Sequence, residues 1–306
     1  TSGTTGRSKG AMLTHTNLAS NALTLAEIWE FTADDVLIHA LPLFHVHGLF
    51  VATNVVLASA ASMIFLPRFD ADDIFRAMPR ATALMGVPTF YVRLLADQRL
   101  DRETTKCMRL FVSGSAPLLA DTHRAFSERT GHAILERYGM TETGMNTSNP
   151  YRGGKRVPGA VGLPLPGVEV RVTRPETGEV MAPGEIGMLE VRGPNVFKGY
   201  WRMPEKTKED FTEDHWFITG ELGTIDAEGR VTIVGRAKDL IISGGFNVYP
   251  KEIEDELNAL PGVAESAVIG VPHPDFGEGV VAVLTPVAGA TLPSEAEVIA
   301  RLSGRL

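Results

Sequence analysis

The sequence predicts an α/β protein: a parallel sheet with helices on its faces over residues 1–157, a mostly β region over 158–237, and a smaller α+β unit over 238–306. Three observations carry this. From Val36 to about Gly139, short apolar runs alternate with amphipathic stretches, the pattern of strand–helix–strand units. After Pro158 glycines and prolines become frequent, and short alternating runs replace the longer units. Beyond Gly235 the order becomes helix, strand, strand, helix.

Along the chain, Asn17 to Trp29 reads as a helix with Thr16 as its N-cap. The runs Val36–Leu41, Ser62–Leu66, Ala83–Val87, Arg109–Val112 and Ala133–Glu136 read as buried strands. Asp72–Met78, Phe90–Ala96 and Ala120–Arg129 read as the helices between them. Val168–Val172 and Gly187–Val191 begin a small antiparallel sheet or barrel, and Asp226-Ala227-Glu228-Gly229 marks a hairpin. The last unit comprises a helix over Pro250–Leu260, strands over Ala264–Val271 and Gly279–Thr285, and a helix from Ser294 to Leu302. Its boundary is expected between Gly235 and Asp239. Thr1 lies inside a motif and the last helix has barely ended at Leu306, so a piece of a longer protein is expected.

The composition narrows the function classes. A formal charge of −8 argues against non-specific nucleic-acid binding, which needs a basic face. No apolar run approaches the roughly 18 residues a membrane helix needs, and there is no signal peptide. The single cysteine, Cys107, excludes an intramolecular disulfide and any cysteine-based zinc site, and it fits a reducing compartment. The expected location is the cytoplasm.

The strongest chemical signal is Thr1-Ser2-Gly3-Thr4-Thr5-Gly6-Arg7-Ser8-Lys9-Gly10. Its glycines allow close backbone approach to a phosphate, its amides and hydroxyls can donate to phosphate oxygens, and Lys9 adds a point charge. Ser8 before Lys9 rules out a Walker A loop. A flexible linker rich in Ser, Thr and Gly is the alternative for this stretch alone, but a linker has no need of the lysine. His45 and His47 could be half of a metal site, yet no third ligand accompanies them. The glycines around Gly277 and Gly279 lead into a strand and not a helix, against a dinucleotide fingerprint. No Gly-x-Ser-x-Gly elbow supports a serine hydrolase.

This loop resembles the phosphate-binding signature of the acyl-adenylate-forming superfamily of acyl-CoA synthetases, luciferases and peptide-synthetase adenylation domains. Four further stretches match in the family's order: Leu41 to Leu49, Tyr138 to Thr143, Thr219 to Gly223, and Gly235 to Ile241 running into Gly244 to Glu254. The resemblance spans the whole chain. It implies a large AMP-binding domain over 1–237, lacking its N-terminal part, and a truncated swinging C-terminal domain over 238–306. It implies ATP, Mg²⁺ and coenzyme A as cofactor and substrates, with a carboxylic acid activated as acyl-AMP and then passed to the thiol.

Residue by residue, the resemblance implies that Thr1, Ser2, Gly3, Thr4, Thr5, Gly6 and Lys9 hold the β- and γ-phosphates. Thr141, with Gly139 and Met140 beside it, would meet the α-phosphate, and Glu142 would hold Mg²⁺. Tyr138 would stack on adenine, with Gly114, Ser115 and Ala116 lining its other side. Glu221 and Arg236 would bind the ribose; the family usually has Asp at the first of these, and Glu221 is one methylene longer. His45 would sit by the acyl and thiol channel, Lys238 at the hinge, and Gly244 and Gly245 against the pantetheine tunnel.

Within the superfamily the likeness is to malonyl-CoA synthetases, through Phe44 to Leu49, Gly86 to Arg93 and Ser113 to Pro117. A dicarboxylate needs a cation for its second carboxylate, and an arginine fork suits it. Arg93 is the candidate, with Ser113 and Ser115 as hydroxyl partners and Met145 in the pocket wall. An Arg93 that points away from the pocket favours a monocarboxylate, hence a fatty-acid or aryl-acid CoA ligase. A nucleotide-binding module without turnover is the reading from another class. The catalytic lysine that normally ends the family's C-terminal unit lies beyond Leu306, so the 306-residue piece alone is expected to have little adenylation activity.

Overall fold

The computed structural model describes residues 8–287 and 289–303. In chain order, α1 (His15–Ile28) leads to β1 (Val36–His39), a π-helical turn (His47–Ala52), α2 (Thr53–Ala58), β2 (Ser62–Phe65), α3 (Ala71–Ala77) and β3 (Ala83–Gly86). Then follow α4 (Pro88–Leu95), β4 (Leu110–Ser113), α5 (Ala120–Thr130) and β5 (Leu135–Met140). An antiparallel run comes next: β6 (Gly144–Ser148), β7 (Ala160–Pro164), β8 (Glu169–Thr173), β9 (Gly187–Arg192), α6 (Pro204–Glu209), β10 (Phe217–Ile225) and β11 (Val231–Arg236). The chain continues through β12 (Ile241–Ser243), β13 (Phe246–Val248), α7 (Pro250–Asn258), β14 (Val263–His273), β15 (Gly277–Pro286) and α8 (Glu295–Leu302).

Among the described residues the first eleven strands form one sheet, ordered β2-β1-β3-β4-β5-β6-β7-β11-β10-β9-β8. β1 to β5 pair in parallel, and every pairing from β5–β6 onward is antiparallel. The antiparallel β region expected after residue 157 is joined to the parallel half by backbone hydrogen bonds through β5, β6 and β7. The last four strands form their own antiparallel sheet, β13-β12-β15-β14.

The parallel strands are apolar on both faces, as a sheet covered by helices on both sides requires. Leu37, Met85, Leu110 and Val112 pack toward Leu25 and Trp29 of α1 and Val55 of α2. The alternate residues Ile38, Leu84 and Phe111 pack toward Ile74 of α3, Tyr91 and Leu94 of α4, and Phe126 of α5. The helix boundaries follow local chemistry. Pro88 opens α4, where its missing N–H costs nothing, and Gly131 closes α5 at φ 80°. Thr14, not Thr16, caps α1, because Asn17 returns a hydrogen bond to the Thr14 N–H and completes a reciprocal pair.

The β12–β13 hairpin was not legible as strands, since each has only three residues. Its signal was Gly244-Gly245, whose φ values of 59° and 85° suit a two-residue hairpin turn. A smaller core of Ile241, Leu257, Leu260, Val263 and Val268 holds this last unit together. No described helix is long and apolar enough to cross a membrane.

Candidate active site

The carboxyl ends of parallel strands are where open α/β sheets bind ligands, and here they carry most of the expected residues. β1 runs into the His45–His47 turn, β3 into the first turn of α4, β4 into Gly114 and Ser115, and β5 into Thr141 and Glu142.

At the phosphate end, Thr1, Ser2, Gly3, Thr4, Thr5 and Gly6 lie outside the described residues. Lys9 is described, and its ammonium sits 4.2 Å from the centroid of the Tyr200 ring. The Tyr200 hydroxyl donates to Glu142 Oε1 at 3.0 Å. Glu142 is buried, and its other oxygen, Oε2, has no hydrogen-bond partner among the described residues. A buried carboxylate oxygen left bare is costly, so its place fits a hard cation such as Mg²⁺. No cluster of three or more His, Cys, Asp or Glu side chains stands ready for a metal among the described residues. One carboxylate completed by phosphate oxygens and water is how Mg²⁺ is commonly held. Thr141 is half-buried on the turn that follows β5.

At the nucleoside end, Tyr138 is buried and its hydroxyl meets the Glu221 carboxylate. Glu221 lies directly across from Arg236 in the β10–β11 pairing. Burial pushes the Glu221 carboxyl up, and the Tyr138 hydroxyl and Arg236 only partly offset it. Glu221 Oε2 is also buried without a partner among the described residues. The longer Glu221 therefore still places a carboxylate beside Arg236 and Tyr138.

Arg93 is exposed on α4, with its guanidinium 5.5 Å from the Phe69 ring centroid. The buried cation is Arg137, on β5 between Glu136 and Tyr138, only 3% exposed. Its Nε and Nη2 have no partner among the described residues. Burial without a carboxylate brings its pKa down to about 9. The guanidinium occupies the space beside Gly114, where a Cβ would come within 2.3 Å of Arg137 Cζ.

Other unsatisfied polar atoms gather at the same strand ends. His47 is 1% exposed, with Nδ1 3.2 Å from Ser115 Oγ and Nε2 without a partner among the described residues, as is Ser113 Oγ. Burial, and then Arg137, keep His47 well below the usual histidine range, so it is neutral at pH 7. Ser115 holds φ at 72°, a strained value for serine. Met145 is fully buried next to Gly139. His45 is exposed, and its Nδ1 accepts from the His47 N–H at 3.1 Å. His45 and His47 thus hold each other through the backbone.

Arg137 and Tyr200 were not singled out from the sequence, and His47 was considered there only as half of a metal pair. Arg137 gave little signal, because β5 also carries Glu136 and so does not read as an apolar strand broken by a single charge. Gly139 and Met140 end β5 and are half-buried, Gly114 is buried, and Ser115 and Ala116 are exposed. Lys238 sits in a 3₁₀ turn, 3.5 Å from Asp239, and Gly244 and Gly245 are exposed at their hairpin tip.

Comparison with known proteins agrees with this layout. The family described as AMP-binding enzyme matches residues 1–201, and the one described as AMP-binding enzyme C-terminal domain matches residues 252–306. A malonate–CoA ligase of Arabidopsis thaliana is 40% identical over 97% of the chain and 52% of that protein. A feruloyl-CoA synthase of an Amycolatopsis species is 39% identical over 100% of the chain and 62% of that protein. The chain therefore spans about half the length of the curated relatives it matches. Among solved structures, ATP-bound MatB from Rhodopseudomonas palustris is 70% identical, with a TM-score of 0.97 over 100% of this chain and 60% of that one. The apo form of the same protein, 69% identical with the same coverage, gives 0.86. From the phosphate loop to the last helix, the chain belongs to the AMP-binding enzyme family.

Proposed function

We propose that the protein carrying this chain is an ATP-dependent acid–CoA ligase that converts malonate, ATP and CoA to malonyl-CoA, AMP and pyrophosphate. The observation that carries the acid is Arg137, a buried guanidinium with two nitrogens unpartnered among the described residues. Such a cation is expensive unless something anionic completes it. The second carboxylate of a short diacid is that anion, received with the help of Ser113 and of His47 Nε2 carrying its proton. The 40% identity to a malonate–CoA ligase and the 70% identity to MatB support the same reading.

In the first step the free carboxylate attacks the α-phosphorus and pyrophosphate leaves. Lys9 and the loop before it draw charge from the β- and γ-phosphates, and Thr141 meets the α-phosphate. Glu142 holds Mg²⁺, which when bound offsets phosphate charge. Tyr138, Glu221 and Arg236 fix the nucleoside. In the second step the CoA thiolate attacks the acyl carbonyl and AMP leaves. We place the domain boundary at Lys238, about which residues 238–306 turn to bring Gly244 and Gly245 to the thiol tunnel. The higher TM-score with the ATP-bound than with the apo form supports an adenylation-like arrangement here.

One observation favours a second reading, an aryl- or fatty-acid CoA ligase: Arg93 is exposed, and a feruloyl-CoA synthase is 39% identical. Acid-dependent pyrophosphate release by the complete natural chain separates the two. Malonate is expected to exceed acetate, octanoate and benzoate at fixed Mg-ATP and CoA. Release with octanoate or benzoate but not malonate would keep the mechanism and replace the acid.

A further inference from the structure

Residues 197–201 form a strap between two parts of the nucleotide site. On one side the strap is stitched to the strand that leaves the phosphate loop. Trp201 N donates to Gly10 O at 2.7 Å, Met12 N to Gly199 O at 2.9 Å, and Lys198 N to Met12 O at 3.0 Å. On the other side Phe197 N donates to the backbone oxygen of Glu142 at 2.8 Å. Tyr200 lies at the centre of the strap, 3% exposed. Its N–H donates to Thr207 Oγ1 at 2.9 Å, and its ring packs edge-on against Phe197. The ring is therefore fixed from three directions. One face carries the Lys9 ammonium at 4.2 Å, and its hydroxyl reaches Glu142 Oε1 at 3.0 Å.

We propose that Tyr200 is a positioning residue that sets the metal-binding carboxylate and the phosphate-loop lysine against one another. It does so with one rigid ring, through a hydrogen bond to Glu142 Oε1 and a cation–π contact with Lys9. The proposal rests on reading Glu142 as the Mg²⁺ carboxylate.

Two features of the geometry point this way. First, the hydroxyl binds one carboxylate oxygen and leaves the other, Oε2, bare and buried. A carboxylate held by one oxygen presents the second in a fixed direction, and partners of this kind orient metal ligands. Second, a face of the same ring carries the Lys9 ammonium, so the position of the lysine is tied to that of the carboxylate.

The test is a manganese titration, read by electron paramagnetic resonance, on the complete natural chain with ATP and no acid, so that no turnover is needed. Tyr200→Phe keeps the ring and removes only the hydroxyl. It is expected to raise the Mn²⁺ half-saturation roughly tenfold, the scale at which partners of metal ligands act. Its melting temperature and its binding of ATP in the presence of EDTA should stay close to wild type. Glu142→Gln should raise the half-saturation further. An unchanged half-saturation in Tyr200→Phe beside a raised one in Glu142→Gln overturns the proposal and leaves the metal reading intact. No change in either variant overturns the metal reading itself, and the proposal with it. Should Tyr200→Phe fail to fold, Thr207→Val releases the Tyr200 N–H without touching the ring. A smaller rise in the same titration supports the proposal, and no rise overturns it.

Discussion

Two arginines at opposite ends of the same parallel sheet, Arg109 half-buried and Arg137 buried, have opposite surroundings. Arg109 lies at the amino ends of the strands, just before β4. Its Nε and Nη2 donate to Asp35 at 2.7 and 2.8 Å, and its remaining donors reach the backbone oxygens of Trp29 and Glu30. Burial pushes the Asp35 carboxyl up, but hydrogen bonds from Arg109, Thr82 and Thr32 outweigh it and bring it below the usual range. Arg137, at the carboxyl ends, has Nε and Nη2 without partners among the described residues and a pKa lowered to about 9. The satisfied arginine ties loops to the sheet. Arg137, by contrast, has donors free among the described residues, which is why the proposed function gives it the ligand. In an α/β sheet, the end that binds is recognisable by polar groups left wanting.

Substituting each arginine by methionine tests this contrast, since the apolar stem is retained. Arg109→Met leaves Asp35 buried beside lost donors and should cost about 3 kcal/mol of stability. Denaturant unfolding measures that loss, and activity per folded molecule should hardly change. Arg137→Met should do the reverse. Malonate-dependent kcat/KM should fall at least about a hundredfold, the scale of removing one side of a buried charge pair. The melting temperature should rise, because a buried charge is relieved.

Glu136, next to Arg137 on β5, sharpens the comparison. It accepts from the Gly159 N–H at 3.1 Å, and burial raises its pKa to about 7, partly countered by Lys251 of α7. An acid whose folded pKa exceeds its unfolded value binds more protons when folded. Ionising it between about pH 4.5 and 7 therefore destabilises the fold. Glu136→Gln should be near neutral at pH 5 and more stable than wild type by on the order of 2 kcal/mol at pH 8. Unfolding curves at the two values check it. A smaller effect is expected from Gly114→Ala, whose Cβ must displace the Arg137 guanidinium. Its malonate KM should rise about tenfold, roughly 1.4 kcal/mol, with little change for a monocarboxylate.

The fold class and most elements were legible because the parallel strands are apolar on both faces and the helices between them amphipathic. The weak points were local. Thr16 and Thr14 both qualify as caps by type, and only the returning bond from Asn17 decides. The continuity of the antiparallel half with the parallel sheet depends on β6, whose Gly, Asn, Thr and Ser give no apolar run, and on β7, a short apolar stretch broken by Gly162 and ended by Pro164. At the site, motif residues such as Glu142 and Glu221 could be named from their company. Arg137 could not, because it carries no motif and its burial is set by strands and loops far apart in sequence. Arg93, on a helix after a recognisable stretch, drew attention for the same reason in reverse.

The central claim is that Arg137 receives the second carboxylate of the acid. The direct measurement is acid-dependent pyrophosphate release by the complete natural chain, comparing malonate with acetate and butyrate in wild type, Arg137→Met and Arg93→Ala. The account predicts a wild-type preference for malonate that collapses in Arg137→Met while monocarboxylate activity persists. Malonate activity in Arg137→Met within about twofold of wild type, less than 0.5 kcal/mol, would contradict it, and collapse in Arg93→Ala alone would return the role to α4.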